Sequence, residues 1–349
     1  MKLEIRDHKL AKFMTSEIYN SFFDKKTGFF IRWGKTKDDD PEMCPFGPEI
    51  ADIEIATTCH GVPTDGVATP CTHCYKSNNA VGEYMKLETF EKVLEKLPET
   101  ITQIAFGIGD IDSNPDMFKI FAHCREKGVV PNLTINGYGL TEEIAKKFKE
   151  YCGAVAVSLY TTDICYGAVK RLTDVGMTQI NIHALVSEET YDGCMQAMKD
   201  FKTDPRLEKL NTIVFLGLKE KGNRNTYNIL SENKYKTLVE YALGNDIRIG
   251  FDSCSAHKFI KSIPKDTSDE ELQRIFRVVE PCESTLFSIY INVKGEVYPC
   301  SFCEGESGFK PVPIIGAKDF GIDVWYNKET LKFRHDLLSN CRECPVFTI

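Results

Sequence analysis

From residue 51 to about residue 251 the sequence alternates between short, β-rich apolar runs and segments with helical spacing. Few architectures accept that rhythm. Strands are predicted at Asp52–Thr57, Gln103–Phe106, Asn132–Asn136, Ala154–Leu159, Gln179–Leu185 and Thr212–Leu218, with a further one at Arg248–Phe251. Between them, helices are predicted at Leu87–Leu97, Met117–Lys127, Thr141–Tyr151, Tyr166–Val175, Cys194–Phe201 and Ser231–Leu243. Leu87, Phe90, Val93, Leu94 and Leu97 recur at helical intervals, and Thr141 can cap the helix that begins with it. Strands alternating with helices imply a parallel sheet with helices outside. Six such units suit an open partial (β/α)6 barrel, because a closed eight-fold barrel needs about 250 residues.

The flanking regions break the rhythm. Residues 1–50 are mixed and partly polar, with one strand candidate at Gly28–Trp33 and an acidic turn at Asp38–Pro41. They read as an N-terminal extension packed on the main domain, with Trp33 or Cys44 as secondary candidates for the site. After residue 254, Ser288–Val293 and Glu296–Tyr298 read as a β-hairpin turning at Lys294-Gly295. The expected division is 1–50, 51–253 for the barrel, and 254–349 for a small cysteine-rich β-hairpin/α domain.

In parallel α/β folds, ligand sites form at the C-terminal ends of strands. Here the first strand runs into Cys59, Cys71 and Cys74, and the second ends in Gly107-Ile108-Gly109-Asp110. The third ends in Asn136-Gly137 and the fourth in Ser158-Leu159-Tyr160. The fifth carries Asn181 and His183, and the last ends in Asp252-Ser253-Cys254. Thiolates are soft donors that favour iron–sulfur clusters or zinc. Three cysteines with His60 or His73 would close a structural zinc site. Three cysteines alone would leave one iron of a cluster open.

The chain has fourteen cysteines and an N-terminus without the apolar core of a signal peptide. Clustered thiols in such a chain read as metal ligands in a reducing, cytoplasmic setting before they read as disulfides. Cys44, Cys124, Cys152, Cys165 and Cys194 are scattered, as packing residues are; Cys282, Cys300, Cys303, Cys341 and Cys344 are grouped. A net charge of −8 gives a nucleic-acid partner no support, and no apolar run is long enough to span a membrane.

Taken together, these features resemble the radical SAM superfamily, whose signature is C-x3-C-x2-C at the end of the first strand of a partial barrel. Cys71-Thr72-His73-Cys74 matches its second half, with His73 in the aromatic position, but eleven residues separate Cys59 from Cys71. Stretching such a loop costs only about 1 kcal/mol of closure entropy, and Cys44 is the fallback ligand. The resemblance implies that Cys59, Cys71 and Cys74 hold a 4Fe–4S cluster. The methionine end of S-adenosylmethionine would bind the fourth iron. Gly107, Gly109 and Asp110 would meet the methionine ammonium, with Asn136, Ser158, Asn181 and His183 as further cofactor contacts. Cys282-x12-Gly295-x4-Cys300 followed by Cys341-x2-Cys344 resembles the family's SPASM or twitch auxiliary module. It implies one auxiliary 4Fe–4S cluster on Cys282, Cys300, Cys341 and Cys344, with Cys303 spare. Cys254 is a candidate hydrogen-atom donor opposite the radical. By the same resemblance the substrate is a peptide or protein side chain, with a flavodoxin- or ferredoxin-type reductant. The alternatives are a small-molecule dehydrogenase, or a non-catalytic zinc- or cluster-binding protein.

Overall fold

The computed structural model describes residues 2–64 and 66–347. The N-terminal region is a four-stranded antiparallel meander, β1 (Glu4–Asp7), β2 (Ala11–Thr15), β3 (Asn20–Asp24) and β4 (Phe30–Trp33). The sequence shows only the last of these. The others are four or five residues long, and β1 is largely exposed, so it carries almost no apolar alternation. Met14, Tyr19 and Phe23 form the sheet's buried side. Arg32 of β4 is the polar tie to the rest of the molecule: it pairs with Glu49 (3.2 Å), Glu280 (2.7 Å) and Glu283 (3.2 Å) and lies 3.6 Å over the Phe287 ring.

The barrel begins at β5 (Ile50–Glu54), which is followed by a small hairpin, β6 (Val62–Thr64) and β7 (Val67–Thr69). Then come α1 (Leu87–Lys96), β8 (Gln103–Gly107), α2 (Met117–Glu126), β9 (Val130–Ile135), α3 (Glu142–Tyr151) and β10 (Val155–Ser158). The series continues with α4 (Thr162–Asp174), β11 (Ile180–Val186), α5 (Tyr191–Asp200), β12 (Thr212–Gly217), α6 (Glu232–Gly244) and β13 (Ile249–Phe251). Thr141 caps α3, its side chain accepting from the Ile144 N–H at 3.2 Å. The order β13-β12-β11-β10-β9-β8-β5 is parallel throughout, so α/β architecture with a partial parallel barrel is what the chain adopts. One face of each strand is apolar and packs on the helices, as with Ala51 and Ile53, Ile104 and Phe106, or Ile180, Ile182 and Ala184. Alternation then sends Asp52, Glu54, Asn132, Thr134, Ser158 and His183 to the inner wall.

Beyond β13 lie α7 (Ala256–Ser262), α8 (Asp269–Phe276), β14 (Ser288–Ile291), β15 (Glu296–Tyr298), β16 (Val312–Pro313) and α9 (Lys328–Ser339). The predicted hairpin is present, with Gly295 at φ +76° in its turn. Its placement is not visible in the sequence: β14 pairs in parallel with β5, Asp52 opposite Tyr290, so one ten-stranded sheet runs from the barrel into the C-terminal region. Among the described residues no helix is long and apolar enough to cross a membrane.

Candidate functional site

The loop that leaves β5 is cinched at its base. Met85 N–H donates to Ile55 O, Thr57 N–H to Glu83 O (both 2.9 Å), and Cys59 N–H to Asn79 O at 2.8 Å. Inside the cinch, the eleven residues after Cys59 are spent mostly on β6 and β7, which pair with each other. Gly61, at φ +86°, is required there, since a Cβ would fall 1.8 Å from Thr69 O. The hairpin returns the chain to a tight turn in which Cys74 N–H bonds to Cys71 O at 3.4 Å. Cys59, Cys71 and Cys74 are all half-buried. The neighbouring Cys71 thiol favours the Cys74 thiolate, burial opposes it, and backbone N–H groups of residues 76–78 add support, so its pKa is lowered. Burial pushes Cys59 up to about 11, and the Asp110 charge adds to it.

The rim around these thiols is built by close approach. A Cβ on Gly109 would lie 1.8 Å from Thr58 O and 2.8 Å from the Cys59 Cβ, so glycine is what lets the second strand's end touch the cysteine loop. Asp110 N–H donates to Thr58 O at 3.1 Å. Its carboxylate accepts from His60 N–H (2.8 Å), lies 2.7 Å from His60 Nδ1 and receives Asn136 Nδ2 at 3.4 Å. Ser158 ends β10 level with His183 on β11, and His183 Nδ1 is 3.5 Å from Thr134 Oγ1. Burial lowers His183 to about 4, which keeps it neutral. Gly107 lies against the Glu54 backbone.

Two predicted residues are placed differently. Asn181 is the second residue of β11, at the strand's start, where it accepts from Asn211 at 2.9 Å; the structure does not bring it to this rim. Cys44 packs in an apolar cluster with Tyr19, Cys282, Cys303 and Leu337, away from the cysteine loop. His73 is held between the Tyr160 and Tyr227 rings (centroids 5.8 and 4.9 Å), its Nδ1 buried without a partner. The loop after β12 was not foreseen. Gly222, at φ +103°, passes so close that a Cβ would meet Cys74 O at 2.3 Å, and Arg224 donates to Ser77 O (3.2 Å) and Asn78 O (2.7 Å).

The C-terminal cysteines lie beside this loop. Tyr75, next to Cys74, stacks on Phe302, which sits between Cys300 and Cys303, with centroids 4.3 Å apart. Lys76 donates to Tyr290 Oη (2.7 Å), pairs with Glu54 (3.2 Å) and contacts Glu304, whose other oxygen accepts from Asn292 at 2.8 Å. A cavity of about 310 Å³ adjoins this network, lined among others by Tyr75, Lys76, Asn79, Lys221, Lys294 and Glu304. Cys282 and Cys303 are buried, Cys254, Cys300 and Cys344 half-buried, and Cys341 exposed. Cys124, Cys152, Cys165 and Cys194 are buried. Burial holds the last three near 12, as inert packing thiols.

The donor set suits a soft polynuclear centre. Among the described residues no three Cys, His, Asp or Glu side chains are gathered as a single metal ion would need them. A tetrahedral zinc ion with bonds of about 2.3 Å draws its sulfurs to within about 4 Å of one another. His60 is taken by Asp110, whereas His73 stacks between two tyrosines with its Nδ1 unpaired. The three thiols lie close enough for their charges to oppose one another's ionisation, a soft donor set that would suit a cluster or a single thiophilic ion.

Comparison with known proteins bears on the fold. Residues 62–175 match the family model of the radical SAM superfamily. No curated protein matches the chain by sequence. Among solved structures, Streptococcus suis SuiB bound to precursor peptide SuiA is 12% identical, covering 94% of this chain and 90% of that one, with a TM-score of 0.68. The S-adenosylmethionine complex of the same enzyme gives 12% identity, 95% and 88% coverage, and a TM-score of 0.63. Native anSMEcpe with bound AdoMet and the Cp18Cys peptide is 14% identical over 82% of this chain and 84% of that one, with a TM-score of 0.57. At such identities the structures speak for the fold; the family match takes in Cys71 and Cys74 and begins after Cys59. The chain carries a domain of the radical SAM superfamily.

Proposed function

We propose that this protein is a radical SAM enzyme that abstracts hydrogen from a peptide or protein side chain. The observation that carries the reading is that Cys59, Cys71 and Cys74 share one loop at the C-terminal rim of the first strand of a parallel barrel, half-buried and close enough for their charges to interact. When bound there, a 4Fe–4S cluster supplies the electron that splits S-adenosylmethionine into methionine and a 5′-deoxyadenosyl radical.

The chain's own residues bind, orient and shield. Gly109 and Asp110 hold the Cys59 side of the loop, while Arg224 and Gly222 hold the Cys74 side. The methionine end of the cofactor would meet the Gly107–Asp110 edge, with Asn136, Ser158 and neutral His183 further along the rim. A neutral imidazole and a hydroxyl can hydrogen-bond a ribose or carboxylate without adding charge to the inner wall. The mixed lysine, glutamate and asparagine lining of the 310 Å³ cavity suits peptide backbone and polar side chains. SuiB and anSMEcpe, whose fold this chain shares, were each captured with a peptide. The grouped C-terminal cysteines would hold one auxiliary cluster that accepts or relays an electron, and a flavodoxin- or ferredoxin-type protein would reduce the first.

Anaerobic purification and reconstitution test this reading. The expected product is a brown protein with about two 4Fe–4S clusters that releases 5′-deoxyadenosine on dithionite reduction. Cys59→Ala, Cys71→Ala and Cys74→Ala should each abolish that release. A colourless protein holding only zinc contradicts it.

A further inference from the structure

Strand β5 is an inner strand of the ten-stranded sheet, paired with β14 on one side and β8 on the other, and its apolar face packs on the helices. A side chain exposed on its other face therefore opens into the barrel's interior. Asp52 is exposed there, level with Ala105 of β8, and β9 brings Asn132 to the same layer. One layer up stand Glu54 and Gly107, and further round the wall Thr134 of β9 is level with Ala156 of β10. Ala105, Gly107 and Ala156 carry at most a methyl group, so the space in front of Asp52 is left open. Ala105 is half-buried and Gly107 exposed, although both lie in the middle of the sheet.

Among the described residues no hydrogen bond or ion pair answers the Asp52 carboxylate. The cations on this side of the barrel are already committed. Lys76 is shared by Glu54 and Glu304, and Arg32 by Glu49, Glu280 and Glu283, while Arg342 takes Glu280 again. On the far strands Lys219 is held by Asp252, and His183 is neutral. Asn132 is spent on Gln103 (2.6 Å) and on the Ala154 N–H (2.9 Å). The carboxylates outnumber the cations that serve them, and Asp52 is left with none. An enclosed carboxylate is costly unless it is paired, and a partner that the chain does not supply can arrive with a ligand.

We propose that the barrel interior in front of Asp52 is the pocket for a substrate side chain, and that Asp52 selects one ending in a cation, a lysine or an arginine. This rests on the proposed action on a peptide or protein and deepens it. The methylenes of such a side chain lie against Ala105 and Gly107 while its charged end meets the carboxylate. The cofactor's own ammonium is the other cation at hand, but its proposed seat is the Gly107–Asp110 edge at the end of β8, and Asp52 lies one layer deeper. Glu54, in the layer above Asp52, also lines the 310 Å³ cavity, so a peptide held there can send one side chain down the wall of β5.

The test uses the full chain, reconstituted without oxygen and supplied with S-adenosylmethionine, and reads binding by saturation-transfer NMR. The probes are n-butylammonium, which is the lysine side chain alone, against 1-butanol, and a glycine–serine peptide with one central lysine against the same peptide with norleucine. In both pairs the cation should bind at least about tenfold more tightly. Asp52→Asn, which keeps the shape and removes the charge, should abolish that preference. Equal binding within either pair by the wild type, or a preference that survives in Asp52→Asn, overturns the proposal. Weaker binding of S-adenosylmethionine by Asp52→Asn, with n-butylammonium unaffected, assigns the carboxylate to the cofactor and overturns it too. A protein that prefers the cations through Asp52 yet releases no 5′-deoxyadenosine on dithionite reduction defeats the proposed function and leaves the cation pocket standing.

Discussion

Asp52 and Glu54 point the same way from β5, two residues apart, yet they are handled differently. Glu54 is met by Lys76 and by the Tyr290 hydroxyl. Among the described residues no hydrogen bond or ion pair reaches the Asp52 carboxylate, which is exposed on the barrel's inner wall yet closely surrounded by protein. Poor solvation pushes it up to about 7, and the charge of Glu283 adds to the shift. The folded value is above the ordinary 3.8. Asp52 therefore favours the folded state fully below about pH 4, and that contribution is lost as pH rises through about 7. Asp52→Asn should flatten the fall in stability across this window, as measured by denaturant unfolding at a series of pH values; parallel wild-type and variant curves would contradict it. Gly109 gives a second prediction at this scale. Gly109→Ala should displace the Cys59 loop and lose about one cluster's iron with the thermal melt little changed; full iron content would show that the loop yields. The glycine and its strand-end position are legible in the sequence. The need for it is not, because the obstructing atom, Thr58 O, belongs to another strand's loop.

Among the elements, the β6–β7 hairpin explains how an eleven-residue gap still serves one site: it pairs with itself and delivers Cys71 back to the loop. The sequence shows a Gly- and Pro-rich excursion but not its pairing, since each strand has three residues. A second coupling joins the cysteine loop to β14. Lys76 bridges Glu54 and Glu304 beside Tyr290, and all four side chains are largely shielded. Lys76→Met should destabilise the protein by roughly 2 kcal/mol, because it strands buried Glu54 and half-buried Glu304. Denaturant unfolding measures this, and pairing the change with Glu54→Gln should recover part of the loss. A change within about 0.5 kcal/mol would mean that the pair is solvated.

Across the whole molecule, the parallel strands and their helices were readable to within a few residues, because buried strands and amphipathic helices write their periods into sequence. Helix α4 starts four residues earlier than its periodicity shows, since its first turn, Thr162–Cys165, is mixed and partly exposed. What the sequence conceals is long-range: β14 against β5, and Arg32 reaching three glutamates. Contacts between distant segments leave no local pattern. The candidate site divides in the same way. The thiols and glycines were visible as motifs, whereas the clamps at Gly222 and Arg224 follow a strand 140 residues downstream of the loop and carry no motif.

The central claim is that Cys59, Cys71 and Cys74 hold a cluster with one iron open to S-adenosylmethionine. Electron paramagnetic resonance of the dithionite-reduced protein, recorded with and without S-adenosylmethionine, addresses it most directly. A reduced-cluster signal that changes shape when the cofactor is added, and is missing from Cys71→Ala, is the predicted result. The absence of any cofactor-sensitive component, or the survival of that component in Cys71→Ala, would contradict the account.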